Sequence, residues 1–155
     1  MKVGIIGSGG REHSICEIIK KSNKVNQIFC FPGNAGTKNI SKNVNLNLEN
    51  FAEIKDYILE NDIDLIIVGP EKPLVDGIVD YLEKFNIKVF GPNKIASQLE
   101  GSKIFTKKIC EEFKIPTAKF QIFEKIDNAK NYLQKVNFPI VIKADNLASG
   151  KGVYI

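Results

Sequence analysis

The sequence predicts an α/β fold: a doubly wound, mostly parallel sheet over residues 1–101, followed by a shorter, incomplete unit over residues 102–155. Three observations carry that expectation. Short apolar runs alternate with stretches of helical periodicity through the first hundred residues, the pattern of strand-helix-strand units. One run, Asp64-Leu65-Ile66-Ile67-Val68, is apolar without alternation, as in a strand buried on both faces. Glycine-rich turns recur where such strands end, which is where a doubly wound sheet places its ligand loops.

The first strand, residues 3–6, runs into Gly7-Ser8-Gly9-Gly10-Arg11-Glu12-His13. Gly7, Gly9 and Gly10 let the backbone turn sharply and approach a ligand. A helix follows, with Ile15, Ile18 and Ile19 as its expected core face. Free N–H groups and the helix dipole attract an anion at that point. Of 22 Lys and Arg residues only Arg11 is arginine, and the sole histidine, His13, stands two places on. A planar fork grips phosphate through two hydrogen bonds, so the turn reads as a monophosphate cradle. A dinucleotide fingerprint fits less well. Glu12 stands where GxGxxG requires its last glycine, and the next strand ends in Cys30-Phe31-Pro32 with no acid for a ribose. An unoccupied strand-to-helix turn explains the glycines but leaves the arginine unexplained.

Phe31-Pro32-Gly33-Asn34-Ala35-Gly36-Thr37 follows the second strand and reads equally as a ligand loop or a connector. Residues 44–48 form a weak strand, and Phe51, Ile54 and Ile58 mark one face of a helix. The run ending at Val68 leads into Gly69-Pro70-Glu71-Lys72-Pro73, then a helix with core face Val75, Ile78, Val79 and Leu82. Glu71 points towards the crevice that holds Gly9 and Gly10, either to accept sugar hydroxyls or as a solvated acid at a helix N-terminus. Residues 88–90 make a short strand before Gly91-Pro92-Asn93 and a helix to Leu99. Ser102 can cap the next helix, whose face is Phe105, Ile109 and Phe113. Lys103 lies in its first turn, where a cation is either solvated or serves an anionic ligand. A strand over 118–123, a helix carrying Ala129, Tyr132, Leu133 and Val136, and a strand over 140–142 complete the pattern. The final Lys143-Ala144-Asp145-Asn146-Leu147-Ala148-Ser149-Gly150-Lys151-Gly152-Val153 departs from a P-loop, since Asp145 and Gly152 occupy key positions. It reads as a strand-loop-strand hairpin that can fold over nucleotide phosphates, and the apolar end suggests a truncated chain or part of a longer enzyme.

Composition narrows the classes. Apolar residues at 43%, charged residues at 26% and a net charge of +4 with scattered lysines fit an ordinary soluble protein without a nucleic-acid or membrane patch. Neither a signal peptide nor a membrane span is visible, which points to the cytoplasm. Cys16, Cys30 and Cys110 sit in apolar patterns as buried reduced thiols, and one histidine without CxxC argues against zinc.

The motifs GSGGREH at 7–13, PGNAGT at 32–37, GPEKPLVDGI at 69–78, FGPNKIASQLEGSKIFTK at 90–107 and VIKADNLASGKGV at 141–153 occur in an order that resembles the start of the glycinamide ribonucleotide synthetase family. That family, the phosphoribosylamine–glycine ligases, belongs to the ATP-grasp superfamily. The resemblance covers essentially the whole chain and departs at Asn146 and Ser149, where the family more often has Gly and Ala. It implies a pre-ATP-grasp domain followed by the beginning of an α+β ATP-grasp domain. The implied reaction activates glycine with ATP as an acyl phosphate, which 5-phosphoribosylamine attacks to give glycinamide ribonucleotide, ADP and phosphate. Gly9, Gly10 and Arg11 would hold the ribonucleotide phosphate, Asn34 would lie nearby, and Glu71 would meet the ribose. Lys103 and Lys143 would contact ATP phosphates beneath a flexible cover of Gly150, Lys151 and Gly152. Mg2+ ligands and the glycine site would lie beyond residue 155, so no catalytic or metal residue is assigned and the isolated chain is expected to be inactive. Another ATP-grasp ligase or carboxylase, or a ribonucleotide-binding module without catalysis, is the alternative, with an NAD oxidoreductase a distant fourth.

Overall fold

In the computed structural model, which describes residues 1–148 and 151–155, the apolar runs become strands whose successive side chains serve two separate cores. β1 (Lys2–Gly7), β2 (Gln27–Pro32), β3 (Lys42–Asn43), β4 (Leu65–Val68) and β5 (Val89–Phe90) pair in parallel in the order β3-β2-β1-β4-β5. The order reverses at β1, so the carboxyl ends of β1 and β4 open a crevice. The chain divides into two compact units, Met1–Ser97 and Gln98–Ile155.

In the first unit the two-residue period of a strand separates the cores. Ile5, Ile28 and Cys30 face Cys16 of α1 (Gly10–Ile19). Ile6, Phe29, Phe31, Ile66 and Val68 face Ile54 and Ile58 of α2 (Phe51–Glu60), together with buried residues of the following helical segment. Gly4 belongs to that second face. A Cβ there would lie 2.6 Å from Ile66 Cδ1 and 2.9 Å from the Phe31 ring, so its bareness makes room for the largest fully buried side chain.

Several elements differ from expectation. Ile18 is 67% exposed, and α1 turns Glu12, Ile15, Cys16 and Ile19 inward instead. The cause is the helix start: an inward Glu12 one turn in sets the rotation of everything after it. The helix expected from Val75 to Leu82 is two, α3 (Glu71–Asp76) and α4 (Ile78–Glu83), because Gly77 between them takes a left-handed φ of 98°. Ile78, Val79 and Leu82 are nevertheless buried as expected. Residues 44–48 make no strand. β3 pairs with β2 only at Lys42 and Asn43, after which the Val44 N–H still reaches the Cys30 carbonyl at 2.8 Å and the chain leaves the sheet edge. Cys16 and Cys30, far apart in sequence, bring their sulfurs to 3.2 Å in a buried contact. Burial and then the neighbouring thiol push Cys16 up to about 12, which keeps it protonated at neutral pH. Cys110 is only partly buried.

α5 (Lys94–Gly101) carries the chain out of the first unit, and the second begins at Gln98. It contains α6 (Lys103–Glu112), α7 (Ile126–Leu133) and an antiparallel hairpin of β6 (Ile142–Lys143) and β7 (Val153–Tyr154). Ser102 caps α6 as expected, its hydroxyl accepting the Phe105 N–H at 3.1 Å. The hairpin matches the strand-loop-strand reading, shortened by the loss of residues 140 and 141 from the first strand. Residues 118–123 form no strand, since none of the described strands offers them a ladder. Phe113, expected in the core face of α6, is exposed.

Ile5→Ala should cost roughly 2–5 kcal/mol, because a fully buried branched side chain leaves a cavity, whereas Ile18→Ala should change stability by less than about 0.5 kcal/mol. Urea unfolding of the two variants checks the corrected helix face, and a comparable loss at Ile18 would contradict it.

Candidate functional site

The crevice at the ends of β1 and β4 forms an open cleft of about 400 Å³. Gly7, Ser8, Gly9, Gly10, Arg11 and Glu12 line it from the first turn, and Leu48, Pro70 and Glu71 from the other side. The two sides meet for a topological reason. β1 and β4 are neighbours, paired in register from Val3 and Leu65 to Ile6 and Val68, so their following loops emerge side by side. α1 starts at Gly10, with Gly9 as its N-cap in extended conformation, and presents its N-terminal N–H groups to the cleft. A second depression of about 300 Å³, lined in part by Lys20, Lys38 and Lys42 beside the start of β2, contains none of the glycine turns.

Arg11 bridges the cleft. Its Nη1 donates to the Gly69 carbonyl at 2.6 Å and its Nη2 to Glu71 Oε1 at 2.9 Å. The fork predicted to grip a phosphate is thus engaged with protein acceptors in this state, and it holds Glu71 beside the helix N-terminus. Hydrogen bonding from Arg11, followed by the N–H of Glu71 itself, holds the Glu71 carboxyl below its ordinary range. Both side chains remain well exposed, so the pair adds about 0–1 kcal/mol to stability. Its consequence is positional.

Asn34 reaches the same turn from the second loop, in an unexpected manner. Its Nδ2 donates to the Ser8 and Gly9 carbonyls at 2.9 and 3.1 Å, while its Oδ1 accepts the Gly36 and Thr37 N–H groups. The side chain clamps one loop to the other. Thr37, fully buried, completes the clamp by donating to Asn43 Oδ1 at 2.9 Å. His13 packs against Gly36, where a Cβ would lie 2.6 Å from the imidazole Cε1.

The sequence reading missed Glu12, which is buried with 4% of its surface exposed and accepts the Gly9 N–H. The available signal was its place at the third position of a helix, where an acid reaches back to the cap.

In the second unit Lys103 donates from Nζ to the Asn146 carbonyl at 2.9 Å. Asp145, also unforeseen, caps α6 by accepting from Ser102 Oγ and the Ile104 N–H. Burial pushes its carboxyl up, but the N–H groups of Ile104, Asn146 and Lys103 and the Ser102 hydroxyl outweigh that and leave it below the ordinary range. Lys143 and Lys151 are exposed, the first in β6 and the second just before β7. Gly152 is buried and hydrogen-bonded to the Ala144 N–H, and a Cβ there would lie 2.7 Å from that of Ala148. Gly150 lies outside the described residues.

A family model described as "Phosphoribosylglycinamide synthetase, N domain" matches residues 1–100, and one described as "Phosphoribosylglycinamide synthetase, ATP-grasp (A) domain" matches residues 101–155. The phosphoribosylamine–glycine ligase of Caldanaerobacter subterraneus is 47% identical over 155 residues, all of this chain and 37% of that protein. The crystal structure of phosphoribosylamine–glycine ligase from Thermotoga maritima superposes with a TM-score of 0.77 at 33% identity, covering 99% of this chain and 35% of that one. The biotin carboxylase domain of the Hydrogenobacter thermophilus 2-oxoglutarate carboxylase also gives 0.77, at 21% identity over 99% of this chain and 36% of that one, a likeness of fold alone. The chain spans somewhat over a third of the length of the curated relatives it matches.

A depressed carboxyl contributes its stability above the unfolded value and loses it as pH falls through the folded value, so the Arg11–Glu71 pair holds at neutral pH and weakens only in acid. Glu71 should therefore titrate below the ordinary range of a glutamate, and Arg11→Ala should raise its midpoint. Carboxyl-carbon NMR reads both, and an unmoved midpoint in the variant would remove Arg11 as the cause.

Proposed function

This chain belongs to the phosphoribosylglycinamide synthetase family, and on that membership we propose that it serves the ATP-dependent ligation of glycine to 5-phosphoribosylamine, giving glycinamide ribonucleotide, ADP and phosphate in purine biosynthesis. One observation supports the substrate side most directly. The first turn, Arg11 and Glu71 converge on a single cleft at the point where the strand order reverses. The helix N-terminus receives the ribonucleotide phosphate, Gly9 and Gly10 form the exposed rim that lets it approach, and Arg11 adds a positive fork that also holds Glu71 towards the ribose hydroxyls. Asn34 serves the substrate by fixing the turn through Ser8 and Gly9.

ATP supplies the phosphoryl group that activates the glycine carboxylate. Lys103 and Lys143 are assigned to its phosphates, with Gly150, Lys151 and Gly152 as the cover. The buried, close-packed Gly152 fits such a cover, because it brings the loop backbone against Ala148. Among the described residues no group of three or more His, Cys, Asp or Glu side chains gathers as a metal site, so the magnesium used by such ligases is given no ligand here. Among the described residues no helix is long and apolar enough to cross a membrane.

Arg11→Lys should weaken glycinamide ribonucleotide by roughly 1–2 kcal/mol, since the charge stays but the paired geometry is lost. Arg11→Ala should lose more, because it also leaves the Glu71 carboxylate uncompensated beside a phosphate. Calorimetric titration reads both against thermal melts as the stability control, and unchanged affinity in Arg11→Ala would sink the phosphate assignment.

On the nucleotide side, Lys143→Ala should weaken ATP binding in the full-length ligase more than Lys151→Ala. Lys143 stands in a paired strand, next to the 2.8 Å bond from the Ala144 N–H to the Gly152 carbonyl, whereas Lys151 rides on the loop. Equal losses, or none at Lys143, would show the nucleotide to be misplaced.

A further inference from the structure

Among the described residues Glu12 is the one buried carboxylate. Its surroundings are unusual for a charge. Three glycines from two loops press on it: a Cβ at Gly7 would lie 2.6 Å from its Cδ, one at Gly9 would lie 2.9 Å from Oε2, and one at Gly69 would collide with Oε1. The Gly9 N–H donates to Oε2 at 2.5 Å, and the adjoining N-terminus of α1 supplies a favourable dipole. The opposite side of this arrangement is held by Arg11, whose Nη1 bonds the Gly69 carbonyl. One carboxylate therefore sets the spacing between the end of β1, the start of α1 and the end of β4.

Two consequences bear on ligand choice. First, the Gly9 N–H is turned inward and engaged, while Ser8, Gly9 and Gly10 remain exposed as the outer rim of the turn. In a dinucleotide turn the second glycine is the one that lets the backbone approach the pyrophosphate. Here that residue's donor is already taken. Second, the position that a dinucleotide site gives to its third glycine, for close helix-strand contact, is filled by the carboxylate itself. A second phosphate laid across the turn would lack the donor that the second glycine gives in a dinucleotide site, whereas a single terminal phosphate at the helix N-terminus does not need it.

We propose that Glu12 is a positioning residue that shapes this turn for one terminal phosphate and debars a pyrophosphate, by holding the Gly9 N–H inward and filling the gap among Gly7, Gly9 and Gly69. It rests on the reading of the cleft as a ribose-phosphate site and names what gives that site its selectivity.

The test compares ribose 5-phosphate with ADP-ribose, in which the same ribose 5-phosphate end is extended by a second phosphate that carries adenosine; adenosine alone, titrated as a control, reports any contribution of the nucleoside. Titrated into the 155-residue chain, ribose 5-phosphate should bind about tenfold or more tightly than ADP-ribose, the scale of one charge-assisted hydrogen bond. Glu12→Gln preserves the shape and an acceptor for the Gly9 N–H, so it should keep most of that preference. Glu12→Ala should bring the ratio to within about threefold, and Glu12→Asp, one methylene too short to reach Gly9, should do the same and decides the matter if the alanine variant does not fold. The Gly9 amide proton resonance should move in Glu12→Asp and Glu12→Ala but little in Glu12→Gln. A purely structural Glu12 would lower the melting temperature and leave the ratio intact, which overturns the proposal while sparing the phosphate site. Equal binding of both probes by the unaltered chain likewise overturns it. Failure of the unaltered chain to bind ribose 5-phosphate removes the phosphate site and the proposal together.

Discussion

A parallel sheet covered on both faces leaves no place for a charged side chain along the middle of its central strands, and that exclusion dictates where polar groups can gather in the first unit. β1, β2 and β4 alternate between two apolar cores, so each strand contributes hydrophobic residues to both sides. Polar function is pushed to the strand ends. At β1 and β4 the neighbouring ends are occupied by glycine turns, which admit backbone donors and close packing without side-chain bulk. Arg11, Glu12, Asn34 and Glu71 then organise the turns, each tying one loop to another or to a helix N-terminus.

Where the sequence foretold this well, one kind of signal was sufficient. The apolar runs at 3–6 and 64–68 and the glycines after them fix strands, ends and crevice, since few other backbones tolerate such residues. Arg11 and Glu71 could be placed in the same cleft because both follow strands that proved to be adjacent. What could not be read was who holds whom. The Arg11 fork looks solitary in sequence, yet its partners lie 58 and 60 residues away. Glu12 registered only as a missing glycine, because a carboxylate's burial depends on the empty space of three other residues. Ile18 was assigned to the core since it shares a spacing with Ile15 and Ile19, but periodicity leaves the rotation of a short helix open, and its first turn settles it.

The second unit shows the limit of apolar periodicity from another direction. α6 and α7 form where the pattern placed them, yet no residue of either is fully buried, and Phe113, Ile126 and Phe138 are exposed. Periodicity tells that a helix will form and which side is apolar; it does not supply the surface that covers it. Polar contacts carry more of the local order here. Asp145 caps α6 from 43 residues away, and Lys103 reaches the carbonyl of the next residue, Asn146.

The strand order also determines when the cleft can come into being. β1 is made first, but its neighbour on the cleft side is β4, and the contacts that close the site span about sixty residues. Closing a loop of that length costs roughly 3–4 kcal/mol of chain entropy before any contact repays it. A nascent chain that has emerged only as far as α2 possesses the glycine turn and Arg11 but no Gly69 or Glu71 to hold them. The finished cleft is therefore a report on completed long-range assembly, arriving late in folding together with the β1–β4 pairing.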